Sequence, residues 1–154
     1  MSQAAILGGP PVRYRRFADR KTMGEAEERA AVEVIRSDVL SDFLGAGGDY
    51  FLGGAKVRGF EDKWCEMYGF KHGISVNSWT SGLVIAMGAV GVQPGDEVIC
   101  PPYTMSASAT AAIFYGGIPV FADIELETLC LDPADFERKI TPRPRAVVVV
   151  HLLG

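Results

Sequence analysis

The stretch Ile74-Ser75-Val76-Asn77-Ser78-Trp79-Thr80-Ser81-Gly82-Leu83 decides how the rest of the chain is read. Ile74 and Val76 are β-branched and sit at alternate positions, as in a short strand. Asn77, Ser78, Thr80 and Ser81 are turn and cap residues. From Leu83 to Val90 every residue is apolar or glycine. A helix that apolar on all sides is normally buried. Strand, polar turn and buried helix make one β-α unit. The helix N-terminus then aims unpaired N–H groups and the positive end of its dipole beyond the strand, which suits an anion such as phosphate. The same hydroxyls also serve as plain helix caps, so the residue types alone leave both readings open.

The pattern repeats toward the C-terminus. A Pro-Gly turn lies within Gly91 to Asp96, and Glu97 to Cys100 reads as a second strand, stopped by Pro101 and Pro102. Thr104 or Ser106 caps a small-residue helix to about Tyr115, ended by Gly116 and Gly117. Pro119 to Ala122 is a third strand with Asp123 at its end. Asp132 then Pro133 gives a cap and the favoured first helical residue, opening a helix to about Ile140. Pro142 and Pro144 break it, and Ala146 to His151 is a fourth strand. Strands that are near-continuous apolar runs and alternate with helices predict an α/β fold, a mostly parallel sheet with helices on both faces. Ligands in such sheets bind beyond the carboxyl ends of the strands. Asn77 to Thr80, Pro102 to Met105, Asp123 and His151 all fall there. His151 also reads as an ordinary hydrogen-bonded structural histidine. Val147 to Val150 reads as a strand buried on both faces, with no covering helix after it. The expectation is that a partner covers it, or that the α/β domain is cut short after this fourth strand.

Toward the N-terminus, residues 1–21 mix Gly, Pro and Arg and read as an arm, with a local basic run of Arg13, Arg15, Arg16, Arg20 and Lys21. Thr22 and Glu25 fit a capping box, with a helix to about Ser37. Leu40 to Gly54 is Gly-rich but carries Tyr50, Phe51 and Leu52, so a flap over a site or a partner chain is expected. Val57, Phe60, Trp64, Met67 and Tyr68 recur at helical spacing and read as a core-packing face, ended by Gly69. The expected organisation is an arm, helix and Gly-rich loop over 1–56 and a partial α/β domain over 57–154.

Composition narrows the function. The 154 residues suit one domain, and 48% hydrophobic content is that of a globular chain. A net charge of -4 argues against nucleic acid as a partner. Cys65, Cys100 and Cys130 are odd in number and widely spaced, so reduced thiols are expected and no zinc site follows. His72 and His151 lack metal-ligand spacing. No apolar signal core and no membrane-length stretch occur, which predicts a soluble cytoplasmic protein. No G-x-G-x-x-G, P-loop or nucleophile elbow is present.

From Phe60 onward the chain resembles the DegT/DnrJ/StrS family of sugar aminotransferases. The matching stretches are Gly91-Val92-Gln93-Pro94-Gly95-Asp96-Glu97-Val98-Ile99, Pro101-Pro102-Tyr103-Thr104 and Gly116-Gly117-Ile118-Pro119-Val120-Phe121-Ala122-Asp123. Ile140-Thr141-Pro142-Arg143 and Val150-His151-Leu152-Leu153-Gly154 complete the series in the same order. The resemblance implies the N-terminal part of a fold-type-I large domain with pyridoxal phosphate as cofactor. It implies phosphate binding by Ser78, Trp79 and Thr80, where Trp79 replaces the family's small glycine. It implies that Met105, at a position usually aromatic, covers the pyridine ring. It implies amino transfer from Glu or Gln to a keto-sugar nucleotide or cyclitol, in a homodimer, with no nucleic acid, membrane or metal involved. The family's Schiff-base Lys and pyridinium Asp are expected beyond Gly154. None of Lys21, Lys56, Lys63, Lys71 and Lys139 matches that motif, so no catalytic residue is assigned and the 154 residues alone are expected to be inactive. The alternatives are a sugar dehydratase of the same family and a non-catalytic module for phosphate binding or assembly.

Overall fold

The computed structural model describes residues 3–153. Contacts group the chain into two compact units, divided between Phe70 and Lys71.

The first unit holds a short 3-10 turn at Ala5–Leu7 and two helices, α1 (Glu25–Ser37) and α2 (Ala55–Tyr68). The start of α1 corrects the expected capping box. Gly24, not Thr22, is the N-cap, and the carboxylate of Glu27 accepts the Gly24 N–H at 2.7 Å. Glu27 stands three residues past the cap, where its side chain reaches back, and that bond holds its carboxyl below the usual range. α2 ends at Gly69 in the left-handed conformation, as its sequence predicts. Its aromatic stripe is a correction. Phe60 and Tyr68 each meet the Trp64 ring, with Trp64 and Tyr68 ring centroids 4.5 Å apart, yet all three stay exposed. The period marks the face, but no described element of this unit buries it. The loop before α2 is pinned from an unexpected side. Arg58 Nη1 donates to the carbonyls of Asp49 at 2.7 Å and Gly53 at 2.5 Å.

The second unit carries α3 (Trp79–Ala89), β1 (Glu97–Cys100), α4 (Ala107–Ile113), β2 (Ile118–Phe121), α5 (Pro133–Arg138) and β3 (Pro144–Val147). The three strands pair in parallel in the order β2-β1-β3. The N–H groups of Ala122 and Val148 extend the ladder to Cys100 and Ile99, at 3.1 and 2.8 Å. The fourfold strand expectation is corrected to three, because the segment 73–77 is not a strand. A strand exists only where a neighbour takes its backbone hydrogen bonds, and no described strand lies beside it. Ile74 and Val76 are exposed accordingly.

β1 sets the core. Val98 and Cys100 join Leu83 and Met87 of α3, Ala111 and Ala112 of α4, Val92 and Val148 in one buried cluster. Burial pushes the Cys100 thiol up from its ordinary pKa. The valine run is covered on one side only, as the missing helix leads one to expect: Val148 is buried and Val150 packs on the cluster, while Val147 and Val149 are exposed. α3 is likewise buried only along Leu83 and Met87, while Ile85 and Val90 are exposed. At the amino edge of the sheet the buried Glu97 carboxylate accepts from Arg143 Nη2 at 2.7 Å and Thr141 Oγ1 at 2.5 Å. These bonds tie β1 to the entry of β3.

Past β2, a turn joins the sheet to α5. Asp132 caps α5, its Oδ1 accepting the Ala134 N–H at 2.8 Å. Asp135 Oδ2 accepts the Asp123 N–H at 2.6 Å. That bond holds the Asp135 carboxyl below its ordinary pKa, and Arg138 adds to the effect. A carboxylate whose pKa is depressed by folding stabilises the fold above its unfolded pKa of about 4, and that contribution is lost as pH falls through the folded value. Asp135→Asn is therefore expected to flatten the acid side of the unit's stability curve below about pH 4. Urea titrations at stepped pH measure this, and an unchanged acid limb would contradict it.

Candidate functional site at the carboxyl end of the sheet

The direction of the helices decides where the site residues lie. Gly88, near the end of α3, sits under Tyr115, just past α4. A Cβ on Gly88 would run into the Tyr115 hydroxyl. Val92, after α3, likewise meets Gly117 after α4, where an added Cβ would stand 2.9 Å from Val92 Cγ1. Arg145 Nε at the start of β3 donates to the Val90 carbonyl at 2.6 Å. The C-terminal ends of both helices thus lie at the amino edge of the sheet, and α3 and α4 run antiparallel to the strands. Their N-termini open at the carboxyl edge. Ser78 to Thr80 and the Pro102 to Met105 loop are therefore brought to the same edge, from which Asp123 and His151 also emerge.

Ser78 is the N-cap of α3, with extended backbone at φ -160° and ψ 158°. Its Oγ accepts the Ser81 N–H at 3.2 Å and lies 3.1 Å from Ser81 Oγ. Ser81 Oγ donates to Asn77 Oδ1 at 2.7 Å. The Ser81 proton is committed to Asn77, so the Ser78 hydroxyl donates to Ser81. This ordered chain holds the entry turn. The first intrahelical bond runs from the Gly82 N–H to the Ser78 carbonyl at 3.1 Å. The N–H groups of Trp79 and Thr80 come before the helical ladder and face out at the positive end of the dipole. Asn77, Ser78, Trp79 and Thr80 are all exposed.

Met105 is 74% exposed, and its carbonyl accepts the Ser108 N–H at 3.0 Å, closing the first turn of α4. Thr104 Oγ1 and Ser108 Oγ lie 2.9 Å apart across the same turn. The loop is thereby fixed while the Met105 thioether remains open. Asp123 serves the fold. Its N–H goes to Asp135, its carbonyl accepts the Asp132 N–H at 2.8 Å, and its Oδ1 accepts the Ile124 N–H at 2.8 Å. His151 is exposed past β3. The residues that sequence reasoning passed over are Ser81 as the relay to Asn77 and Gly82, which borders the Trp79 ring. Serine three residues after the N-cap is the readable signal for the first, and glycine inside an apolar helix for the second.

The family described as the DegT/DnrJ/EryC1/StrS aminotransferase family matches residues 37–154. The chain belongs to this family. Among curated relatives, it is 41% identical to the L-glutamine:2-deoxy-scyllo-inosose aminotransferase of Streptomyces kanamyceticus, over 98% of this chain and 34% of that protein. It is also 41% identical to the spore coat polysaccharide biosynthesis protein SpsC of Bacillus subtilis strain 168, over 86% of this chain and 31% of that protein. The chain thus spans about a third of the length of the curated relatives it matches. Its structure is similar to that of 3-amino-5-hydroxybenzoic acid synthase, with TM-score 0.78 and 29% identity over 90% of this chain and 34% of the other. The parallel sheet and its helices are part of the fold-type-I α/β architecture of the DegT family. Among the described residues, no helix is long and apolar enough to cross a membrane, and no group of His, Cys, Asp and Glu suits a metal ion.

Proposed function

We propose that this DegT-family chain supplies the phosphate- and ring-binding segments of a cytoplasmic, homodimeric aminotransferase that uses pyridoxal phosphate. On this proposal the amino group of glutamine or glutamate passes to a keto-cyclitol or keto-sugar nucleotide. Family membership supports the reaction class, and the glutamine-dependent cyclitol aminotransferase among the relatives supports the donor and acceptor. The observation that carries the site is the open N-terminus of α3 at the carboxyl edge of the sheet, beside the Met105 loop.

The residues present fit the cofactor. The N–H groups of Trp79 and Thr80 stand ahead of the helical ladder, and the Thr80 hydroxyl is exposed beside them. They would hold the phosphate, with the Ser78 hydroxyl joining once it turns from Ser81. Met105 offers an open thioether that would cover the ring. When bound, the group supplies an electron sink that lets an amino group change carbon. What this chain does is bind and orient. Ser78 fixes the first turn, the helix dipole favours the phosphate dianion, and the Met105 loop limits water on one face. Residues 57–154 carry these parts, and residues 1–56 supply the arm, α1 and the Gly-rich loop against substrate or a second subunit. The lysine and acidic partner for the cofactor lie in the region of the family's fold that this chain does not match.

The 154-residue chain is accordingly expected to bind pyridoxal phosphate without turning over. Equilibrium dialysis with the cofactor, followed by incubation with glutamine and a keto-cyclitol, measures both. Absence of binding would remove the site, and amino-cyclitol formed by this chain would remove the claim of inactivity.

A further inference from the structure

Three polar side chains at the head of α3 form a directed relay, and its direction is set at the far end. The carbonyl oxygen of Asn77 accepts and carries no hydrogen. Ser81 Oγ stands 2.7 Å from Asn77 Oδ1 and donates its proton there. Only lone pairs of Ser81 Oγ then face Ser78 Oγ at 3.1 Å, so the Ser78 proton points at Ser81. One lone pair of Ser78 Oγ takes the Ser81 N–H at 3.2 Å. What the exposed Ser78 hydroxyl has left for an incoming ligand is its second lone pair, which repels an anion. Capping alone does not call for this arrangement, because the Ser78 oxygen accepts the Ser81 N–H whichever way its own proton turns.

We propose that Ser81 and Asn77 are positioning residues that hold the Ser78 proton away from the phosphate, so that Ser78 becomes a donor only by giving up its bond to Ser81. The inference rests on the phosphate-site proposal above and sets how much Ser78 adds to it. The N–H groups of Trp79 and Thr80 meet the ligand as they stand, whereas Ser78 exchanges one bond for another. Removing the Ser81 hydroxyl frees the Ser78 proton and leaves the Ser81 N–H capped as before. Removing the Asn77 carbonyl frees it by another route: the Ser81 hydroxyl then turns to donate to Ser78 Oγ, and the Ser78 proton is released outward.

The test uses the full 154-residue chain carrying Trp64→Phe, so that Trp79 is the one tryptophan and its emission reports that the second unit is folded. Dialysis against pyridoxal phosphate and against inorganic phosphate reports binding. Ser81→Ala is expected to tighten binding of both ligands about 3- to 10-fold, the size of one internal hydrogen bond no longer given up. Asn77→Ala is expected to shift binding in the same direction. In a Ser78→Ala background the gain from Ser81→Ala is expected to vanish to within about 2-fold, because the proton it would free is absent. If the two residues only braced the first turn, removing them would weaken binding instead. Unchanged or weaker binding by Ser81→Ala, or a gain that persists without the Ser78 hydroxyl, would overturn the relay while leaving the phosphate site standing. A parent chain that binds neither ligand would overturn both.

Discussion

Replacing both hydroxyls at the head of α3, Ser78→Ala with Thr80→Val, is expected to weaken pyridoxal phosphate binding by about 100-fold or more. A hydrogen bond to a charged group contributes about 1.5–3 kcal/mol, so each hydroxyl lost costs roughly a factor of ten or more. The two are not equivalent. Ser78 Oγ already accepts the Ser81 N–H and donates to Ser81 Oγ, so it must trade a bond within the chain for one to the ligand. Thr80 is exposed on the first turn and makes no such trade. Thr80→Val alone should therefore account for most of the loss, and because valine keeps the shape of threonine it leaves the turn intact. Ser78→Ala alone should cost less in binding and about 1 kcal/mol in stability, the usual effect of losing an N-cap. Dialysis separates the three variants. If Thr80→Val binds within about 2-fold of the parent, the Thr80 hydroxyl does not hold the phosphate.

Ile99→Ala is expected to lower the stability of the sheet-bearing unit by about 3 kcal/mol. Ile99 is 1% exposed in the middle of the central strand, paired in register with Val120 on one side and Val147 on the other. Both neighbours are held by its backbone, so the surroundings have little freedom to collapse into the space left, and the cavity term adds to the lost transfer term. A loss of that size is a large share of the roughly 5–15 kcal/mol that holds a domain. Urea unfolding followed through Trp79 in the Trp64→Phe background reports on this unit. A shift below about 1 kcal/mol would mean that the centre of the sheet is not a close-packed core.

Much of the second unit was legible because its signals are local. Glu97 to Cys100 is a strand over the expected residues, Asp132 caps α5 with its own carboxylate, and Gly69 ends α2. Each depends on residues within a few positions of one another. The misplaced α1 cap is also local, but Thr22 and Gly24 compete within one turn, and the choice depends on which glutamate reaches back. Two further expectations failed for a different reason. Segment 73–77 has strand-like residues, and the α2 stripe has helical period. Pattern gives the face a segment prefers to bury, but not whether another element covers it.

The site divides in the same way. The sequence by itself determined the alternation of helix and strand from α3 to β3, a cap among Asn77 to Ser81 and the family resemblance, because these reside in residue type and spacing. Only the tertiary structure decided that α3 runs beside α4 with both N-termini at the carboxyl edge, since that depends on the contacts of Gly88 with Tyr115 and of Val92 with Gly117. It also decided that the hydroxyl chain runs from Ser78 through Ser81 to Asn77 and that the Trp79 ring lies over Gly82. Hydrogen-bond direction and ring placement follow from distances of a few ångströms between side chains, and a linear sequence does not encode those until the backbone has folded.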